Sequence, residues 1–234
     1  MTLEIAVDSV ADAVAAARFA DRIELARDLA SHGFTPTPRV VADVRAAMRT
    51  PLVVLVRPES QAGPSFLADT ATLALMERQI GESLDAGADA IAVGVLDDRA
   101  EIDVPACARL VKACADRPVV FHRAFDLAAD TDAALNAITD LGFSRVLTAG
   151  CPSLDHGAFP LRARLDRMAA TAERARARIG VVACGGVRSH NIGAFVRAAG
   201  EVHSSCRTTG EPHRFDADEA EAVRLAIDAA RSSP

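Results

Sequence analysis

The chain has 234 residues, half of them hydrophobic and a quarter charged, with a formal net charge of −6. That length suits one α/β barrel and is too short for two ordinary enzyme domains, so residues 1–234 are read as a single domain. An acidic chain without a basic stripe argues against a nucleic-acid partner, and no apolar run reaches the roughly 18 residues of a membrane span.

Eight strand–helix pairs are legible in order. The expected strands are Leu3–Val7, Arg22–Ala26, Leu52–Arg57, Ala90–Leu96, Val119–Phe125, Arg145–Thr148, Ile179–Ala183 and Glu201–Ser205. They are short, rich in Val, Ile and Leu, and bounded by turn residues, as parallel strands covered on both faces should be. Helical patterns run between them at Val10–Ala20, Pro38–Met48, Thr70–Ala86 and Asp132–Leu141, and a last helix opens at Asp216. Thr37-Pro38 supplies a cap and then proline at the first helical position, and Asp69 precedes a long amphipathic run. This regular alternation predicts a parallel sheet closed into a single (β/α)8 TIM-like barrel. Two connections are long: Pro58–Asp69, with Gly63-Pro64, reads as a lid, and Cys151–Pro160 follows the sixth strand. The N-terminus enters a strand at once, so no secretory leader is expected. Five cysteines without a Cys-x-x-Cys pair argue against a disulfide framework and for a reducing cytoplasm.

Period-2 alternation sends Glu4, Ala6, Arg22, Glu24 and Ala26 toward the barrel axis. It places His122 and Asp126 on one face of the fifth strand, with Arg123 at its mouth, and His203 with Ser205 on one face of the eighth. Barrel layers are normally Val, Ile and Leu, so an interior holding Glu4, Arg22, Glu24, Arg57, His122 and His203 is unusually polar. Glu4 and Arg22, near the strand starts, read as an ion pair tying strands together. Glu24, Arg57, His122, Arg123, Asp126 and Thr148, nearer the top, read as a catalytic or binding cluster of base, acid and anion clamp. Gly185-Gly186 after strand seven, with His203, Ser204 and Ser205, suits a phosphate or carboxylate cradle. Cys107 and Cys114 share a helix face and read as core. Cys151, Cys184 and Cys206 fall at the ends of adjacent strands, where three thiols could bind a soft ion such as Cu(I); small buried hydrophobes are the plain alternative.

These motifs resemble the CutC copper-homeostasis family. The matching segments are Leu3–Ser9, Ala20–Leu25, Gly33 with Thr35-Pro36, Arg57-Pro58, Phe121–Asp126, Val146–Gly150, Gly185-Gly186 and Val202-His203. The resemblance implies a TIM-like barrel, a cytoplasmic location, a homodimer and a role in copper handling. Family cysteines in the first strand and after the Glu-Leu of the second are here Ala6 and Ala26, and the family's usual glycine at 184 is Cys184. The loop Glu59–Phe66 also departs from the family's Arg-Gly-Gly-Asp-Phe.

Two functions follow, the first implied by the resemblance and the second by the residues themselves. One is a copper-homeostasis protein with a small-ligand site at the C-terminal face. The other is a barrel enzyme of isomerase or lyase type acting on a small phosphorylated or carboxylated metabolite. No strand lysine is present for a Schiff base, and no dinucleotide motif supports hydride chemistry. A non-catalytic binding barrel is a third reading.

Overall fold

The computed structural model describes residues 1–61, 63, 65–176, 178–208 and 214–232. Eight parallel strands close into a barrel in chain order. They are β1 Thr2–Val7, β2 Arg22–Leu25, β3 Leu52–Leu55, β4 Ala90–Val93, β5 Val119–Phe121, β6 Arg145–Thr148, β7 Gly180–Ala183 and β8 Glu201–Ser204. The helices are α1 Val10–Ala16, α2 Pro38–Ala47, α3 Thr70–Asp85, α4 Val104–Ala113, α5 Thr131–Asp140, α6 Leu161–Ala175, α7 Ile192–Ala199 and α8 Ala217–Ser232. No helix among the described residues is long and apolar enough to cross a membrane.

The caps act as the sequence requires. The Thr37 side chain accepts from the Val40 amide with Pro38 following it, and Asp69 accepts from Thr72. Asp216 accepts from the amides of Asp218 and Glu219 at the start of α8. Each cap satisfies amides that have no partner inside the helix.

Alternation sorts the core into two layers. Residues such as Ile5, Ile23, Val54 and Ile91 join the large cluster under the helices. Their neighbours turn inward: Ala26, Val53, Leu55, Ala90, Ala92 and Val120 fill one side of the barrel, and Leu147, Ala149, Cys151, Val182 and Cys184 the other. Full burial of a side chain of this size contributes about 1.5–3 kcal/mol, so the strands gain on both faces.

Three strands are shorter than the sequence suggests by two residues or more. β3, β4 and β5 end at Leu55, Val93 and Phe121, and Arg123–Leu127 form a 3-10 helix. A strand and a tight turn of apolar residues look alike by composition, and alternation cannot read where φ and ψ change. The expectation that His122 and Asp126 share a strand face is therefore corrected. The loop after β3 is fastened down: Gln61 Nε2 donates to the Phe66 carbonyl at 3.2 Å, and Phe66 is buried. Pro64, where the lid was expected to turn, lies outside the described residues.

Candidate functional site

A cavity of about 530 Å³ opens at the C-terminal end of the barrel, lined among others by Glu24, Arg57, His122, Arg123, Gly185, Gly186, His203 and Ser205. Its floor is built by register. Glu4 on β1 stands beside Arg22 on β2 and His203 on β8. Arg22 Nε donates to Glu4 Oε2, and His203 Nδ1 lies 2.6 Å from Glu4 Oε1. Arg22 also reaches Glu201 at 3.1 Å, and Arg145 lies 3.4 Å from the same carboxylate. Gly180 leaves room for this pair, since a Cβ there would sit 3.1 Å from Arg145 Cγ. Burial alone would raise the Glu4 carboxyl, but the His203 hydrogen bond and the Arg22 charge outweigh it and hold it at about 2.

One layer higher, Glu24 is in a different position. It is 6% exposed, and its Oε2 has no hydrogen-bond partner among the described residues. Burial, helped by the Glu4 charge and opposed by His203 and Arg22, lifts its carboxyl to about 7.

His122 sits where β5 gives way to the 3-10 turn. Its Nδ1 accepts the Ala124 amide at 3.2 Å. An accepting Nδ1 leaves the ring proton on Nε2, and that nitrogen is buried without a partner among the described residues. Burial and the Arg57 charge push the imidazole down to about 3. Gly94 makes the position possible, because a Cβ there would fall 2.9 Å from the ring. Phe66 packs against the imidazole at 4.9 Å between centroids. Between pH 7 and 4.5, nitrogen-correlated NMR is expected to show His122 as an unchanging Nε2–H tautomer; a titration midpoint near 6.5 would refute this.

The remaining residues of the upper cluster divide. Arg57 Nη1 donates to the Gly33 carbonyl at 2.9 Å, and Nη2 to Gln61 and Gly63 at 3.1 and 3.2 Å. Its guanidinium lies 5.1 Å from both the Phe34 and Phe66 rings. Both terminal nitrogens thus tie loops together, and Nε alone is unpartnered among the described residues. Asp126 does not line the cavity: its carboxylate accepts from Thr148 Oγ1 at 2.6 Å, the Ala149 amide at 2.9 Å and Arg123 Nε at 3.0 Å. Thr148 is likewise taken up by Asp126 and Gly150. Arg123 does reach the rim while fastening the Ser153 and Leu154 carbonyls. Asp126 and Thr148 thus brace the wall and do not face a ligand.

At the second constellation, Gly185 and Gly186 have φ of +83° and +77°. Arg164 of α6 donates to the Gly185 carbonyl at 2.6 Å, and the His156 ring packs over both glycines. Burial, with Arg164 and Arg123, lowers His156 to about 4. Ser204 Oγ donates to the Val187 carbonyl at 2.9 Å, and Ser204 lines the cavity together with His203 and Ser205. The sequence reading did not single out His32, Asp155 and His156, which also line the cavity, as does Arg188 just beyond the glycine pair. Arg164 was missed as well; it lies on the face of α6 that also buries Met168 and Ala175, and an arginine in a polar helix reads as solvent-facing.

The model of the CutC family matches residues 1–208. The human copper homeostasis protein cutC homolog is 38% identical over 210 residues, covering 88% of this chain and 74% of that protein. This chain belongs to the CutC family. A CutC family protein from Xanthomonas axonopodis pv. citri is also 38% identical, covering 88% of this chain and 84% of its own length. The crystal structure of a CutC protein from Streptococcus agalactiae superposes with a TM-score of 0.79 at 27% identity, covering 88% of this chain and 99% of that one. A 3-keto-L-gulonate-6-phosphate decarboxylase from Vibrio cholerae, at 20% identity and a TM-score of 0.65, shares the fold.

Within this CutC chain the strand-end thiols do not form a site. Cys151 and Cys184 pack in the inner cluster near β6 and β7, and Cys206 belongs to the core under the helices. Cys206 Sγ contacts Ser204 Oγ at 3.4 Å, and Cys151 Sγ contacts the Ser153 carbonyl at 3.5 Å. Burial raises all three thiols, Cys206 to about 11. Cu(I) calls for accessible thiolates, so these cysteines do not fit it. All five cysteines are free and buried. In the native protein they are expected to react with an aromatic disulfide reagent far more slowly than in denaturant; fast labelling of one native thiol would contradict the burial.

Proposed function

We propose that this CutC-family chain serves copper homeostasis, as its human relative is named for, by holding a small anionic ligand at the C-terminal mouth of the barrel. The observation that carries this reading is the pair of buried polar atoms on one cavity, Glu24 Oε2 and His122 Nε2, neither with a partner among the described residues. Buried polar groups are normally satisfied, so their free state favours a ligand as the missing partner. His122 Nε2–H donates to a ligand oxygen. Arg123 and Arg188 at the rim favour a carboxylate or phosphate, with Gly185 and Gly186 allowing close approach. A cytoplasmic setting goes with this reading, since five unpaired thiols suit a reducing compartment.

The test combines two measurements. Citrate and inorganic phosphate should raise the melting temperature of the wild type and leave a folded His122→Asn variant unchanged. In a copper-sensitive strain lacking its own CutC, the wild type and a Cys151→Ser/Cys184→Ser/Cys206→Ser variant should restore tolerance, and His122→Asn should not. Restoration by His122→Asn, or failure of the triple serine variant despite normal folding, would overturn the reading.

A further inference from the structure

Arg22 and Arg145 face Glu4 and Glu201 in one connected chain of ion pairs, and the His203 imidazole is a further partner on Glu4. Glu24 stands outside that chain. Glu24 is nine-tenths buried, makes no ion pair among the described residues and has one oxygen without a hydrogen bond. A buried carboxylate of this kind takes a cation or stays protonated.

Its neighbours are suited to a cation. Glu4, Glu24 and His203 each offer a donor atom within 4.8 Å of the other two, the one such group of His, Cys, Asp or Glu among the described residues. Glu4 holds Nδ1 of His203, which leaves Nε2 as the nitrogen able to ligate. A carboxylate fixing the far nitrogen of an imidazole is the usual support of a metal-binding histidine. Glu24 and His203 both line the cavity, so an ion can enter from its mouth. The donors are oxygen and nitrogen with no sulfur, a set that selects borderline divalent ions over Cu(I).

We propose that Glu24 and His203, with Glu4 orienting the imidazole, form a binding site for a borderline divalent cation of the Zn2+ or Cu2+ class at the floor of the barrel. The proposal rests on the reading of the cavity as a ligand site and adds a metal beneath the anion. An anionic ligand at the mouth would complete the ion's coordination.

The test uses the full chain, stripped by chelation and titrated with Zn2+ and with Cu2+ against a competing chelator. One equivalent should bind each. X-ray absorption of the zinc form and electron paramagnetic resonance of the copper form should show oxygen and imidazole nitrogen without sulfur. Glu24→Gln, folded by circular dichroism, should weaken binding by roughly 100-fold or more. Sulfur ligation, binding unchanged in Glu24→Gln, or only weak binding of many ions at the surface would each overturn the site. The spectroscopy needs no variant, so a misfolded substitution does not decide the outcome. Citrate stabilisation dependent on His122 but with no metal bound would overturn the metal site alone; loss of both would remove the ligand reading with it.

Discussion

Replacing Asp126 with alanine is expected to lower the free energy of unfolding by about 3–5 kcal/mol, because it leaves the half-buried Arg123 charge without its buried carboxylate. For a chain of this size that is a drop in melting temperature of roughly 10 °C. Besides Arg123, Asp126 serves Thr148 Oγ1 and the Ala149 amide, so its loss strands two further donors next to β6. Burial keeps its carboxyl above the ordinary range, with Arg123 and Thr148 pulling it back. Its contribution therefore lies in connecting the 3-10 turn to the next strand. Thr148→Val, which removes one neutral partner, should cost nearer 1–2 kcal/mol. Denaturant titrations of the two variants would check this order; a loss below 1 kcal/mol for Asp126→Ala would show that the Ser153 and Leu154 carbonyls suffice to hold Arg123.

The second large effect has the opposite sign. With metal excluded by chelator, Glu24→Gln should be about as stable as the wild type at pH 5 and more stable at pH 8, by on the order of 3 kcal/mol. Glu24 is raised from 4.5 to about 7, so the folded state binds the proton more tightly than the unfolded chain does. Its contribution is complete below pH 4.5 and is lost as pH rises through 7. Glutamine has no such slope. Glu4 behaves in reverse: held at about 2, it stabilises above pH 4.5 and loses that contribution as pH falls toward 2. Chemical denaturation from pH 2 to 9 reads both limbs. A difference between Glu24→Gln and wild type that does not vary with pH would show that Glu24 has an ordinary carboxylate environment. A stability gain on removal would also mark Glu24 as a residue kept at a cost to the fold.

Parity along short strands made most of this legible in the sequence. The inward positions of Glu4, Arg22, Glu24 and His203 need only the two-residue period and a closed sheet, and the register confirms their layering. Legibility ended where the strands did. Beyond Phe121 the chain winds into a 3-10 turn, which turns Asp126 toward Thr148 and leaves His122 on the cavity. At Arg57 the sequence showed a cation at a strand end but not the carbonyls of Gly33, Gln61 and Gly63 that occupy it. The cysteines failed for a related reason. Adjacent strand ends bring backbones together, while side-chain direction sends Cys206 outward and Cys151 and Cys184 inward.

The barrel's seam also constrains when the protein can become itself. Glu4 meets His203, Asp8 meets Arg207 and Asp21 meets Arg224, contacts spanning 199, 199 and 203 residues. A ribosome delivers the first member of each pair long before the second. Until β8 arrives, β1 is an open edge and Glu4 lacks the imidazole that neutralises its burial. Closure is therefore a late, non-local event, and the nascent half-barrel passes through a period in which its exposed strand edge is open to pairing with other chains.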